Sequence, residues 1–228
     1  MTSLTQNFMV SSGITYEYIY HPPKTNDTTI FLFLHGFPSS LQTPNLLGYG
    51  KTYSPSDFQE YKTKQMILHL VALLSHLMID RPIIVVGHDL GMLPASRFAL
   101  YQPKRIHALI LLSIAYNPPG LFNIDQTIDA IKQAAGYDAL GYWKFLGSDP
   151  DAAYLIEKNA NGFLDLLFPP VNDAPTLWHA LGILILFELQ KQYVPQLTII
   201  KMNSTHWIME EKPREINEAI EQWIMTLI

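Results

Sequence analysis

The chain reads as an α/β protein, with a mostly parallel sheet flanked by helices and a small helical insertion. Three observations predict this class. Continuous β-branched and aromatic runs, TTIFLFL from Thr28 to Leu34 and PIIVVG from Pro82 to Gly87, have the composition of parallel strands buried on both faces. Between them, Met66, Ile67, Leu70, Leu73, Leu74 and Leu77 fall on one side at helical spacing, which predicts a helix within Tyr61 to Met78. Beyond the second run the alternation continues, with a helix expected from about Met92 to Tyr101 and a third buried strand in HALILLSI, His107 to Ile114.

The flanking segments complete this plan. ITYEYIY, Ile14 to Tyr20, alternates as a strand does, and HPPKTND after it is turn chemistry, so a hairpin is expected there. The stretch 117–181 opens on NPPG and continues as short helical pieces broken by Gly, Pro and Asn. It carries Tyr137, Tyr142, Trp143, Phe145 and Tyr154 and has no buried-strand pattern. It is read as a helical insertion between two parts of one core, 1–116 and 182–228. The returning core is expected to supply strands at GILILF and QLTIIKM, then an amphipathic helix after Pro213 with Ile216, Ala219, Ile220, Trp223 and Ile224 on one side.

Bulk properties narrow the function. With 228 residues, one domain with an insertion is the natural size. Apolar residues make up 48% and the net charge is −5, so no basic surface exists to neutralise a nucleic-acid backbone. Cysteine is absent, which removes disulfides, thiolate metal sites and cysteine nucleophiles. The start MTSLTQNFMV has no charged segment leading into an apolar run, and the longest apolar run, ALGILILF, is too short to span a bilayer. A cytoplasmic protein with no membrane span, metal or cofactor is expected. Its oligomeric state is open, a homodimer included.

The chemistry concentrates at Gly87-His88-Asp89-Leu90-Gly91, between a buried strand and a helix. Small residues two before and two after a central residue suit a tight strand-to-helix turn that presents that residue as a nucleophile. An Asp acting only as a helix N-cap is the plainer reading of the same letters. Two further elements favour the nucleophile. His35-Gly36-Phe37-Pro38 follows an earlier buried strand, where a loop can offer the backbone N–H of Phe37, beside that of Leu90, to an oxyanion. His206, in KMNSTHWIMEEKP, precedes the last helix, a position from which an imidazole can serve the ligand-binding edge of an open α/β sheet. The remaining histidines lack such placement, and His69 and His76 are expected on the surface of their helix.

On LHGFPSS, NLLGYGKTYSPSDFQEYKTKQM, VVGHDLG, GYDALGYWKFLGSDPDAAYLIEKN and HWIMEEKP, the chain resembles the epoxide hydrolases of the α/β-hydrolase fold, especially fungal soluble members. The resemblance implies an epoxide hydrolase acting on a small apolar epoxide and water. Asp89 would form an ester with the substrate and His206 would activate the water that hydrolyses it. It further implies that Phe37 and Leu90 form the oxyanion hole, that Tyr142 in GYWKF activates the epoxide oxygen, and that His35, Pro38 and Trp207 line the substrate.

The chain departs from that family in three places. Only LQTP separates Ser40 from Asn45, where the family places a helix and a strand ending in Asp, so a sheet strand is expected to be missing. No match for the second epoxide-activating tyrosine is found between Pro170 and Gly182. The acid that orients the histidine has Glu188, in LFELQKQYVPQ, as its candidate, with Asp173 weaker. Two other readings stand beside the main one. A haloalkane dehalogenase-like hydrolase would use the same Asp, although Leu90 and Phe37 differ from the Trp and polar residue that family favours. A shortened, non-catalytic paralogue would keep these motifs without turnover.

Overall fold

Parallel strands must cover both faces to stay dry, and the strand at the centre of this protein does so completely. The computed structural model describes residues 5–25, 28–38, 44–135, 140–168 and 196–227. They form two compact units, Met1–Asn117 and Pro118–Ile228. In the first, strands β3 (Phe31–Leu34), β4 (Ile83–His88) and β5 (Ile106–Leu112) make a parallel sheet in the order β3-β4-β5. All six residues of β4 are buried. Helix α1 (Thr63–His76) precedes β4 and helix α2 (Met92–Tyr101) follows it, as the sequence periodicity predicts. Ile67, Leu70 and Leu74 of α1 and Phe98 of α2 join Leu32, Leu34 and Val85 in one apolar core. Among these, Phe98 is wholly buried.

β3 departs from expectation. Leu32 and Leu34 are buried, but Phe33 is 41% exposed, and Phe31 and Phe33 stack on one another at 5.8 Å. The run TTIFLFL therefore buries one face rather than two. The physical reason is position: among the described residues β3 pairs with β4 alone, and an edge strand keeps an open flank.

The expected hairpin exists, with its turn on the other side. β1 (Thr5–Met9) pairs antiparallel with β2 (Thr15–Ile19), and the Val10–Ile14 turn closes through Val10 N–H to Ile14 O at 2.9 Å. ITYEYIY is thus the second arm, and HPPKTND leaves the hairpin rather than forming it. Among the described residues this two-stranded sheet is separate from the parallel one; residues 39–43, in the segment where a strand is expected to be missing, lie outside them. The loop Pro44–Tyr53 covers the flank of β2 instead. Asn45 N–H donates to Glu17 O at 2.8 Å, Glu17 N–H to Thr52 Oγ1 at 2.9 Å, and Tyr53 N–H to Thr15 O at 3.1 Å. An unpaired row of backbone groups invites association; these bonds satisfy the row from within.

The second unit is helical over its described residues. α3 (Ile124–Ala135), α4 (Gly141–Ser148), α5 (Ala152–Lys158) and α6 (Ala160–Leu167) are short helices of the stretch 117–181, and α7 (Ile208–Glu211) leads into α8 (Pro213–Met225). Pro213 opens α8 at the position where a missing N–H costs nothing. GILILF lies outside the described residues. Gln196–Met202 is not a strand, although Leu197 and Ile199 are half-buried while Thr198 and Ile200 are exposed. Alternation disposes a segment to be extended, yet a strand needs a neighbour to hydrogen-bond with, and among the described residues of this unit none is a strand.

His69 corrects another expectation. It is buried, with Nδ1 2.9 Å from the Tyr16 hydroxyl and Nε2 3.0 Å from Gln65 Nε2, whereas His76 is exposed and stacks on Phe8 at 4.6 Å. Burial lowers the His69 pKa below the ordinary histidine value of 6.5. The unfolded chain then binds more protons than the folded one between these two values. Stability contributed here is full above pH 6.5 and falls as the pH drops through that window. Thermal melts from pH 7 to pH 5 are expected to lose less stability in His69→Gln than in the wild type; equal losses would remove His69 from the account.

Candidate active site

Asp89 directly follows β4 and has φ +52, the left-handed region that a residue with a Cβ adopts only under constraint. The constraint is steric and local. A Cβ on Gly87 would lie 2.7 Å from the Ala95 Cβ and 2.7 Å from Gly91 O, and one on Gly91 would lie 2.1 Å from Leu34 O. The chain reverses from strand to helix so tightly that only hydrogen fits on either side. This is the elbow that GHDLG predicts. The side chain of Asp89 is buried at 8% exposure. Its Oδ1 accepts the Phe37 N–H at 2.9 Å.

The HGFP loop meets the elbow from β3. Gly36 is required by contact, since a Cβ there would fall 2.1 Å from Asp89 Oδ1. Phe37 and Pro38 are half-buried beside it. His35, expected at the substrate, is instead buried with both ring nitrogens engaged. Nδ1 is 2.9 Å from Gly36 O, and Nε2 accepts the Leu46 N–H at 3.0 Å. Burial lowers its pKa, opposed by the Gly36 carbonyl and by the charge of Asp89 and reinforced by His88. Leu90 is 41% exposed, directly after Asp89.

Tyr49 was not singled out from the sequence. Its ring meets His35 edge-on at 4.7 Å, and its phenol is pushed up to about 12, first by burial and then by the charge of Asp89. The segment NLLGYG carried no chemical signal beyond its turn glycines, so only the fold could bring Tyr49 near Asp89.

The second unit holds the other expected residues. His206 is half-buried and its ring lies edge-on to Trp207 at 5.0 Å. The turn that carries it is held by Glu211, whose carboxylate accepts the Thr205 N–H at 2.8 Å and also the Thr205 hydroxyl. Glu211 was not singled out in HWIMEEKP: it reaches back from the end of α7 to Thr205, two residues ahead of the Trp207 N-cap, a spacing that no local capping pattern announces. Trp207, expected to line the substrate, is buried at 7% exposure. Its indole N–H goes to Leu167 O at 2.8 Å, and its ring stacks on Phe168 at 4.5 Å. Tyr142 sits on α4, half-buried, with its ring at 6.2 Å from that of Trp143. Glu188 and Asp173 lie outside the described residues.

Comparison with known proteins bears on the fold. The model of the alpha/beta hydrolase fold matches residues 40–139. The epoxide hydrolase srdG of Neurospora crassa is 28% identical over 131 residues, covering 48% of this chain and 38% of that protein. Epoxide hydrolase 2 of Siraitia grosvenorii is 36% identical over 102 residues, covering 37% and 32%. The chain thus spans well under half the length of these relatives. The crystal structure of an epoxide hydrolase from an endophytic Streptomyces superposes with a TM-score of 0.73 over 99% of this chain and 96% of that one, at 16% identity, which speaks for the fold alone. No helix among the described residues is long and apolar enough to cross a membrane. The chain therefore has the α/β-hydrolase fold and, over part of its length, is similar in sequence to epoxide hydrolases.

Proposed function

We propose that this chain opens an epoxide to a vicinal diol through an ester on Asp89. The observation that carries the reading is the strained, buried Asp89 whose Oδ1 already accepts the Phe37 N–H. Unlike a serine, a carboxylate needs no base to attack. The carboxylate attacks through Oδ2: it bonds to an epoxide carbon, the C–O bond to the ring oxygen breaks, and that oxygen takes a proton from the Tyr142 hydroxyl. His206 then removes a proton from water, and the hydroxide adds to Cγ of the ester. Oδ1 becomes the oxyanion, and it rests from the outset on the Phe37 N–H, with Leu90 N–H as the second donor. Collapse breaks the Cγ–Oδ2 bond: the diol leaves with Oδ2 and the proton held by His206, the acid keeps the oxygen of water, and its proton returns to the Tyr142 phenolate as the carboxylate is restored.

In this reading 117–181 is the cap over a core made of 1–116 and 182–228, the substrate is small and apolar, and Glu188 orients His206. The protein works in the cytoplasm without metal or cofactor. A second reading, a non-catalytic shortened paralogue, rests on internal losses: only LQTP separates Ser40 from Asn45, and no match for a second epoxide-activating tyrosine stands between Pro170 and Gly182. One experiment separates them. After a single turnover of an aryl epoxide in heavy-oxygen water, intact-mass and peptide analysis should find the label in the Asp89 carboxylate and not in the diol. Diol labelled by direct water attack would overturn the ester mechanism, and absence of both adduct and diol would favour the paralogue.

A further inference from the structure

His35 is the residue of the HGFP loop whose side chain the mechanism above leaves unused, yet it is buried and doubly bonded at the nucleophile's edge. The Leu46 backbone N–H can only donate, so Nε2 must be the bare, accepting nitrogen. The ring proton is then on Nδ1, and the bond at 2.9 Å is Nδ1–H donated to the Gly36 carbonyl. In the trans Gly36–Phe37 peptide the carbonyl and the N–H point in opposite directions. Holding Gly36 O toward the imidazole therefore turns Phe37 N–H the other way, onto Asp89 Oδ1 at 2.9 Å.

We infer that His35 is a positioning residue: its tautomer sets the plane of the Gly36–Phe37 peptide, and the loop Pro44–Tyr53 is the strut that sets the tautomer. The strut is anchored at its far side. Asn45 N–H reaches Glu17 O at 2.8 Å, the Asn45 amide reaches Glu17 Oε2 at 2.6 Å, and Lys51 N–H reaches the same carboxylate at 3.2 Å. Leu46, next to Asn45, can thus present its N–H to His35 from a fixed point. With so few residues between Ser40 and Asn45, the loop begins almost where the HGFP loop ends, and it ties β2 to the nucleophile through one imidazole. Burial favours the neutral ring that this relay needs.

The inference rests on the Asp89 reading for its kinetic test only, so a second measurement stands apart from turnover. His35→Phe fills the ring volume and removes both bonds. Its Asp89 ester is expected to form but to hydrolyse about 10²-fold more slowly, the scale of one lost oxyanion donor. His35→Asn, which keeps an N–H near the Nδ1 position, should recover most of that loss. By NMR, the Phe37 amide proton should shift on Asp89→Asn in the wild-type background and not in the His35→Phe background. If His35→Phe fails to fold, His35→Gln, with its amide out at the Nε2 position, takes its place in both arms. A folded His35 variant with wild-type ester hydrolysis, or with the Phe37 response intact, overturns the inference. If the wild type forms no ester at all, the epoxide-hydrolase reading fails, and the NMR comparison still decides the role of His35.

Discussion

Asp89→Asn is expected to abolish covalent capture of an aryl epoxide and to lower diol formation on the order of 10⁶-fold, the effect of removing a hydrolase nucleophile. The variant should do this without unfolding. Asn keeps the shape of Asp and still offers an oxygen to the Phe37 N–H. It also tolerates a left-handed backbone at least as well as Asp, so φ +52 is no obstacle to it. What changes is nucleophilicity, because a neutral amide oxygen lacks the charge that attacks carbon. Intact-mass spectra of wild type and variant with the same epoxide should show the adduct in the first and not in the second, and their melting temperatures should agree within a few degrees. An adduct of equal yield on the variant would place the covalent chemistry on another residue and end the Asp89 mechanism.

The elbow was legible because it is a local steric device. Glycines two residues before and two after Asp89 are demanded by contacts that the turn makes with Leu34, Ala95 and its own backbone, and sequence spacing reports such contacts directly. α1, α2 and α8 were legible for a similar reason, since each stripe of apolar residues needs only its own helix to be read. His69 could have been placed correctly too. It stands three residues after Met66 and four before Leu73, on the stripe that is buried. Its polarity, rather than its position, led to the surface assignment. The features that stayed hidden depend on neighbours far along the chain. One face of β3 is open because of what lies beside the strand, not because of TTIFLFL. Gln196–Met202 alternates as a strand does and lacks a partner strand among the described residues. The Leu46 to His35 bond spans eleven positions in sequence through an unremarkable backbone N–H, and no residue type announces it. The same holds for the two hydrogen bonds of His35, which its motif does not announce.

Gly91→Ala is the substitution for which local preference and packing give opposite answers, and magnitudes decide between them. Gly91 has φ −61 and ψ −17, a helical conformation in which Ala is favoured over Gly by about 1 kcal/mol. Against this, the added Cβ would sit 2.1 Å from Leu34 O and 2.7 Å from His35 O, both backbone atoms that no rotamer change can move. Relieving such overlap means displacing the start of α2 from the end of β3, at a cost of about 3 kcal/mol or more. The net expectation is a melting temperature lower by several degrees, since for a chain of this size each kcal/mol moves the midpoint by roughly 2–4 °C. Gly120→Ala is the control: its Cβ would meet nothing within 4 Å, and the melt should hold or rise slightly. Gly36→Ala distinguishes stability from function. Its clash is with the Asp89 side chain, Cβ included at 2.4 Å, so the nucleophile itself must be pushed out of reach of the Phe37 N–H. Adduct formation should fall steeply in Gly36→Ala with a smaller thermal penalty than in Gly91→Ala. The reverse ranking would mean that the elbow is held by something other than its contact with the ends of β3 and the HGFP loop.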